Sequence, residues 1–207
     1  MNPVWKSLDL LITHRRMKIV KQYLNDDILD IGCGESRITK LLKHDVHYTG
    51  VDCNRVLIKN LQKRFKMTGY RFVLADLEKE EIPLEHQFNS ILMLAFIEHV
   101  NNPVNVIKEC ARLLADNGLL VITTPTPLGD KLLRILISIT NPFSNSQVER
   151  PHEHLYDKEQ MRKLFETSGL IITRYRKFDF GANQIYIAQK ERIKTNGNIE
   201  KNESRLN

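Results

Sequence analysis

Asp30, Gly32, Gly34 and Asp52 carry the strongest chemical signal in the sequence. The apolar run of ILDIGCGES (28–36) enters a glycine turn, and RITKLL (37–42) then places Ile38, Leu41 and Leu42 at helical spacing. Glycines let a ligand approach the backbone, and a helix N-terminus adds N–H donors and a positive dipole end. The next strand ends at Val51-Asp52, where an acidic residue can take two ribose hydroxyls. A turn that merely connects a strand to a helix would explain the glycines, but not Asp52 in register with them.

A dinucleotide fingerprint would place a third glycine at position 37, and Arg37 is too large for that close helix–strand packing. Asp30, two residues before the first glycine, is ill-suited to a pyrophosphate and suits an ammonium group. S-adenosylmethionine carries an ammonium, a sulfonium and a ribose but no phosphate, and this chemistry points to it.

A second group of residues could handle protons. An oxygen acceptor with a pKa near 10 needs a base or a metal to become nucleophilic. Glu98, His99, His152, Glu153 and His154 are the candidates near the open end of the sheet. Glu98-His99 reads equally well as a turn before the helix entered through Pro103, and the two later histidines as an exposed loop pair.

The elements that must position these residues alternate along the chain. Strands are expected at 27–31, 47–52, 70–76, 88–94 and 119–124, with helices after the glycine turn and over 54–65 and 103–115. Asn117-Gly118 is read as closing the third of these. Residues 125–156, with Pro125, Pro127, Pro142 and Pro151, read as irregular. A helix at 157–168, with Asp157 as its N-cap, ends at Gly169. GLIITRYRKF and NQIYIAQK, separated by residues 179–182, read as an antiparallel hairpin. The expected fold is α/β: a Rossmann-like, seven-stranded, mostly parallel sheet with helices on both faces. Domain bounds follow: an N-terminal helical segment at 1–25, the main domain at 26–189 with a lid-like insertion at 126–156, and a disordered tail at 190–207.

Composition limits the alternatives. The chain has 207 residues, 42% hydrophobic and 27% charged, which excludes a disordered chain and a membrane bundle. The net charge of +6 is too small to demand nucleic acid. Three cysteines, Cys33, Cys53 and Cys110, lack metal-ligand spacing and fit a reducing compartment. No segment approaches the ~20 apolar residues of a membrane span, and the N-terminus lacks signal-peptide features. A cytoplasmic location is expected.

The chain resembles the class I S-adenosylmethionine-dependent methyltransferases across about residues 26–189. ILDIGCGES resembles their first motif, Val51-Asp52 the acidic second, and LADLEKEEIP the third. LMLAFIEHVNNP resembles the stretch after strand four, and LLADNGLLVITTP the helix-to-strand-five motif. Ser36 stands where the family usually has a third glycine, and a serine there can cap the helix. The resemblance implies that Asp30, Gly32 and Gly34 surround the methionine end and that Asp52 holds the ribose. Cys53 would lie beside the adenine, Asp76 would accept from its amino group, and Leu77 would pack on the ring. Met93 and Leu94 would lie beneath the sulfonium, although plain core packing explains them as well.

RPHEHLYDKEQMRKLF resembles the region after strand five in the ubiquinone-pathway O-methyltransferases and their relatives. In that group a histidine before the last helix faces the acceptor, which implies His154 as base or positioning residue, with Glu98 and His99 as further candidates. The implied reaction is methyl transfer, to oxygen, of a small or lipid-linked acceptor. Two other readings remain. The small-RNA 2′-O-methyltransferases hold a divalent metal with an ExxEH motif, but here the first glutamate position is Ala95. No metal site and no nucleic-acid partner are therefore expected. The other is a non-catalytic S-adenosylmethionine-binding module. Residues 128–143 (LGDKLLRILISITNPF) carry a crowded apolar helix beside Lys131 and Arg134. It reads as a lid, as a peripheral contact with the inner face of a membrane, or as a core helix supporting strand five.

Overall fold

A computed structural model describes residues 3–43, 45–140 and 154–191, with side chains described from residue 10 and, in the fourth α-helix, through residue 135. Seven strands form one sheet: β1 (Asp27–Ile31), β2 (His47–Asp52), β3 (Arg71–Leu74), β4 (Phe88–Leu94), β5 (Leu114–Pro125), β6 (Leu170–Phe178) and β7 (Asn183–Lys190). Their order is β3-β2-β1-β4-β5-β7-β6. The first five are parallel, and β7 runs antiparallel between β5 and β6. The expected fold and terminal hairpin are both present.

Alternation along the strands builds two apolar layers. Leu29, Ile31, Ile91, Met93 and Ile122 face one side. There they meet Val106, Ile107 and Cys110 of α3 (Pro103–Leu113) and Met161 and Phe165 of α5 (Lys158–Glu166). Ile28, Tyr48, Leu92 and Val121 face the other. They pack against Val20 of α1 (Pro3–Val20) and Ile58 and Leu61 of α2 (Arg55–Arg64). Burial on both faces explains why the central strands read as nearly continuous apolar runs.

Pro103 stands in the first turn of α3, as expected of a residue without an N–H, and Asp157 with Gln160 closes a capping box on α5. Four expectations need correction. The glycine turn opens a short 3-10 helix (Arg37–Leu41), not an α-helix, so no α-helical macrodipole points at the loop. Ser36 does not cap it: its φ is +53° and its hydroxyl lies 3.2 Å from that of Tyr48. α3 ends at Leu113, and Asn117-Gly118 falls inside β5. The register there jumps from Phe88↔Leu114 to Ser90↔Leu119. A Cβ on Gly118 would stand 2.9 Å from the Phe88 carbonyl, so that glycine permits close strand approach and ends no helix.

The helix expected within 128–143 is present as α4 (Pro127–Thr140), whose Gly129 N–H donates to the Thr126 hydroxyl over 2.9 Å. β3 is also shorter than expected, leaving Asp76 two residues beyond its end. The residues proposed as a disordered tail lie, from 192 onward, outside those described.

Candidate functional site

Strand order reverses direction at β1, whose neighbours are β2 on one side and β4 on the other. Ligands of open α/β sheets lie beyond the carboxyl ends of strands at such a switch point. Asp30, Gly32, Gly34, Asp52, Leu94 and Glu98 all stand at this edge or in the loops that leave it.

The loop after β1 takes its shape from its backbone. Gly32, Gly34 and Ser36 all have positive φ, at +66°, +49° and +53°. The two glycines serve different ends. A Cβ on Gly32 would meet the Phe96 ring at 2.2 Å, so this residue lets the loop after β4 close against the loop after β1. Among the described residues nothing lies within 4 Å of the Cβ position on Gly34, so there the backbone is open to a ligand.

Asp30 is buried beneath this loop, and the Tyr48 hydroxyl donates to its Oδ2 over 2.7 Å. The geometry follows from register. Asp30 pairs with Gly50 across β1–β2, and the space where a Gly50 side chain would start is filled by Cys33 Sγ and the Phe72 ring. Tyr48 pairs with Ile28, two residues earlier on the same face, and reaches along the strand to the acid. Burial pushes the Asp30 carboxyl up to about 7; the Tyr48 bond pulls it down, and the charge of Asp52 pushes it up again. Burial likewise drives the Tyr48 hydroxyl and the Cys33 thiol upward. Two acids near one open loop favour a cation.

Asp52 ends β2 and joins the two turns. Its Oδ2 accepts from the Gly34 N–H over 3.1 Å, and its Oδ1 from the Asn54 N–H over 2.9 Å. An ionised carboxylate has about four acceptor positions, so each oxygen keeps capacity for a ligand hydroxyl. Cys53 beside it is an exposed free thiol.

Asp76 is engaged by its own turn. Its Oδ1 accepts from the Glu78 N–H and its Oδ2 from Lys79 Nζ over 2.7 Å, and these contacts lower its pKa, that with Lys79 most. The Ala75 N–H donates to the Asp52 carbonyl over 3.2 Å, so Asp76 and Cys53 leave adjoining strand ends. Leu77 and Met93 are buried in the apolar layer beneath α3 and α5, while Leu94 keeps part of its surface open.

The proton-handling candidates also converge. After β4, Ala95 takes φ +54°, uncommon for a residue with a Cβ, and its N–H donates to the Thr123 carbonyl over 2.8 Å. The chain then turns through a 3-10 helix (Ile97–His99) that buries Glu98 and leaves His99 half-buried. The His154 N–H donates to the Glu98 carbonyl over 3.2 Å, joining segments 56 residues apart. His154 is exposed, and its ring centroid lies 6.2 Å from that of Tyr156. Burial and then the charge of Glu98 raise the Tyr156 pKa. His152 and Glu153 lie outside the described residues.

Sequence reasoning missed Tyr48, Phe96, Tyr156 and Gln184. Gln184 Nε2 donates to the Tyr156 and Pro125 carbonyls, and its Oε1 accepts from the Tyr175 and Tyr186 hydroxyls. This amide fastens the His154–Tyr156 segment to the sheet beside a cavity of about 370 Å3. The available signal was a cluster of tyrosines in apolar strands, each hydroxyl requiring a partner.

The family described as a methyltransferase domain matches residues 29–122. A ubiquinone biosynthesis O-methyltransferase of Maricaulis maris is 35% identical over 104 residues, 47% of this chain and 39% of that protein. A malonyl-[acyl-carrier protein] O-methyltransferase of Calditerrivibrio nitroreducens is 30% identical over 134 residues, 63% of this chain and 51% of that protein. The chain thus spans about half or less of the length of these relatives. Among solved structures, magnesium protoporphyrin IX methyltransferase from Synechocystis PCC 6803, with bound SAH, superposes with a TM-score of 0.67. It is 18% identical, with 92% of this chain and 89% of that one covered, and shares the fold.

Proposed function

Taking as premise that the chain carries a methyltransferase domain on the class I S-adenosylmethionine-dependent fold, we propose that it transfers a methyl group from S-adenosylmethionine to an oxygen of a small or lipid-linked acceptor. One observation carries the reading. The Asp52 carboxylate holds the Gly34 N–H while Asp30 lies buried under the same loop. An acid for an ammonium and an acid for a ribose thus flank one open stretch of backbone. The names of the relatives, both O-methyltransferases, support oxygen as the acceptor atom.

S-adenosylmethionine supplies an activated methyl carbon on a sulfonium. Around it, Asp30 pairs with the ammonium, and its negative charge, costly in the free protein, is then compensated. Asp52 accepts from the ribose hydroxyls through the capacity its backbone donors leave. Cys53, Asp76 and Leu77 lie toward the base, and Leu94 presents apolar surface toward the reacting centre. Glu98 and His154 stand where an acceptor hydroxyl would lose its proton, and burial around Glu98 excludes water. Much of the rate enhancement comes from positioning two reactants in line.

Residues 26–189 act as the catalytic unit. Calorimetry with S-adenosylmethionine and S-adenosylhomocysteine, then mass spectrometry of small molecules in a host lacking the gene, tests this reading. Micromolar-class binding of both, and one accumulating unmethylated compound that the pure protein methylates, is the expected result. NAD binding in place of the sulfur ligands would overturn it.

A further inference from the structure

Residues 75–87, between β3 and β4, hold neither helix nor strand, so their shape rests on ties to other parts of the chain. Two ties are present. At the far end the Glu109 carboxylate accepts from the Ile82 N–H over 2.7 Å, and Arg112 donates to the Ile82 and Leu84 carbonyls. That tie fastens the segment to α3. At the near end the Glu78 carboxylate takes donors from Asn101, the backbone N–H on Oε1 and Nδ2 on Oε2 over 3.2 Å. Both bonds end on a carboxylate, the stronger class of hydrogen bond.

The near tie joins two loops of the reacting edge. Glu78 belongs to the turn of Asp76: its own N–H donates to Asp76 Oδ1 over 3.2 Å while its carboxylate holds Asn101. Asn101 closes the turn after β4, three residues beyond the buried Glu98. The same turn meets the glycine loop on its other flank, where the Phe96 ring fills the space a Gly32 Cβ would need. Beneath it, Ile97 and Val100 share the apolar layer of Leu77. The turn carrying Glu98 is therefore gripped from both sides by the loops proposed above to hold the cofactor.

We propose that Glu78 and Asn101 are a positioning pair that transmits cofactor binding to the turn presenting Glu98. This rests on the proposed function and deepens it. A base held at the Asp76 turn settles that turn, and the clasp settles Glu98 with it. Methyl transfer depends on holding the acceptor group and the methyl carbon in one geometry. A 3-10 helix of three residues, Ile97–His99, does not fix its own place. The tie to the cofactor side supplies that reference.

Hydrogen exchange of the full chain, with and without S-adenosylhomocysteine, tests this without any acceptor. In the wild type the ligand should slow exchange at the amides of both 76–80 and 97–101. Glu78→Ala leaves the backbone bond to Asp76 in place. It should keep the slowing at 76–80 and lose most of it at 97–101. Asn101→Asp, which sets a second carboxylate against Glu78, should do the same from the other side. Glu78→Gln keeps an acceptor oxygen for the Asn101 N–H and should restore most of the effect. Affinity for S-adenosylhomocysteine should fall about threefold to tenfold in the two broken variants. The melting temperature of the free protein should barely move, because both side chains are exposed.

Undiminished slowing at 97–101 in Glu78→Ala would overturn the inference. So would its loss at both segments together with a lowered melting temperature, which marks a merely structural tie. Calorimetry separates the two proposals. A wild type that binds no S-adenosylhomocysteine sinks the proposed function and this inference with it. A wild type that binds it, beside a Glu78→Ala protein of unchanged exchange, sinks the clasp alone.

Discussion

The Tyr48 hydroxyl donates to the Asp30 carboxylate over 2.7 Å, so the buried acid of the glycine loop rests on a neutral donor from the neighbouring strand. A neutral donor does not offset the burial of a full charge. That leaves Asp30 poised to accept a cation, and its consequences are measurable.

Asp30 makes stability and cofactor affinity respond to pH in opposite senses. Burial pushes its carboxyl up to about 7 in the folded protein, against an ordinary 3.8, so between these values the folded protein holds the extra proton. Stability of the free protein should therefore fall as pH rises from about 4 to 7. Affinity for a ligand carrying an ammonium should rise over the approach to pH 7, with proton release on binding. Melting temperature against pH, and calorimetry in buffers of different ionisation enthalpy, measure both. Asp30→Asn should flatten the stability slope and cost at least tenfold in affinity. Tyr48→Phe should move the midpoint upward by removing the bond that lowers it.

The two glycines should respond differently to alanine. Gly34→Ala meets open space and should cost about 1–2 kcal/mol from its positive φ, with a larger loss of cofactor binding. Gly32→Ala adds a 2.2 Å clash with Phe96 and should destabilise more. Denaturant titration separates them, and Phe96→Ala should recover part of the Gly32→Ala loss only.

Asp52→Ala removes an acceptor for the Gly34 and Asn54 N–H groups as well as the ribose contact. We expect a loss of about 2 kcal/mol or more in cofactor binding. Asp52→Asn keeps an acceptor oxygen and should retain more. Unchanged affinity in a folded Asp52→Ala protein would remove the residue from the site.

His154→Ala should lower turnover by about 10²–10⁴-fold if its side chain takes the acceptor proton, with cofactor affinity nearly unchanged. Its backbone bond to the Glu98 carbonyl survives the substitution, so the local fold should hold. Glu98→Gln should fall in the same assay if the buried acid orients that step. Full activity in both would return the role to other residues at this edge.

The glycine turn, the acidic end of β2, the N-cap at Asp157 and the alternation of strands and helices were legible because each is a local pattern. Each depends on residues a few positions apart, whose types report directly on backbone freedom, capping or burial. The same locality explains the errors. Asn117-Gly118 has the composition of a helix end, but whether it ends a helix or lets β5 approach Phe88 depends on a strand 30 residues away.

By itself, then, the sequence determined the kind of sheet and the chemical types gathered at its carboxyl edge. Only the tertiary structure decided which groups meet there. Asp30 finds Tyr48 because β1 and β2 pair in a register that sets Gly50 beside the acid. His154 reaches Glu98, and Gly129 reaches Ala182, across spans that no periodicity encodes. Such contacts arise only when separate elements pack, because close packing and the cost of burying a polar group without a partner act on whichever residues the fold brings together, however far apart in the chain.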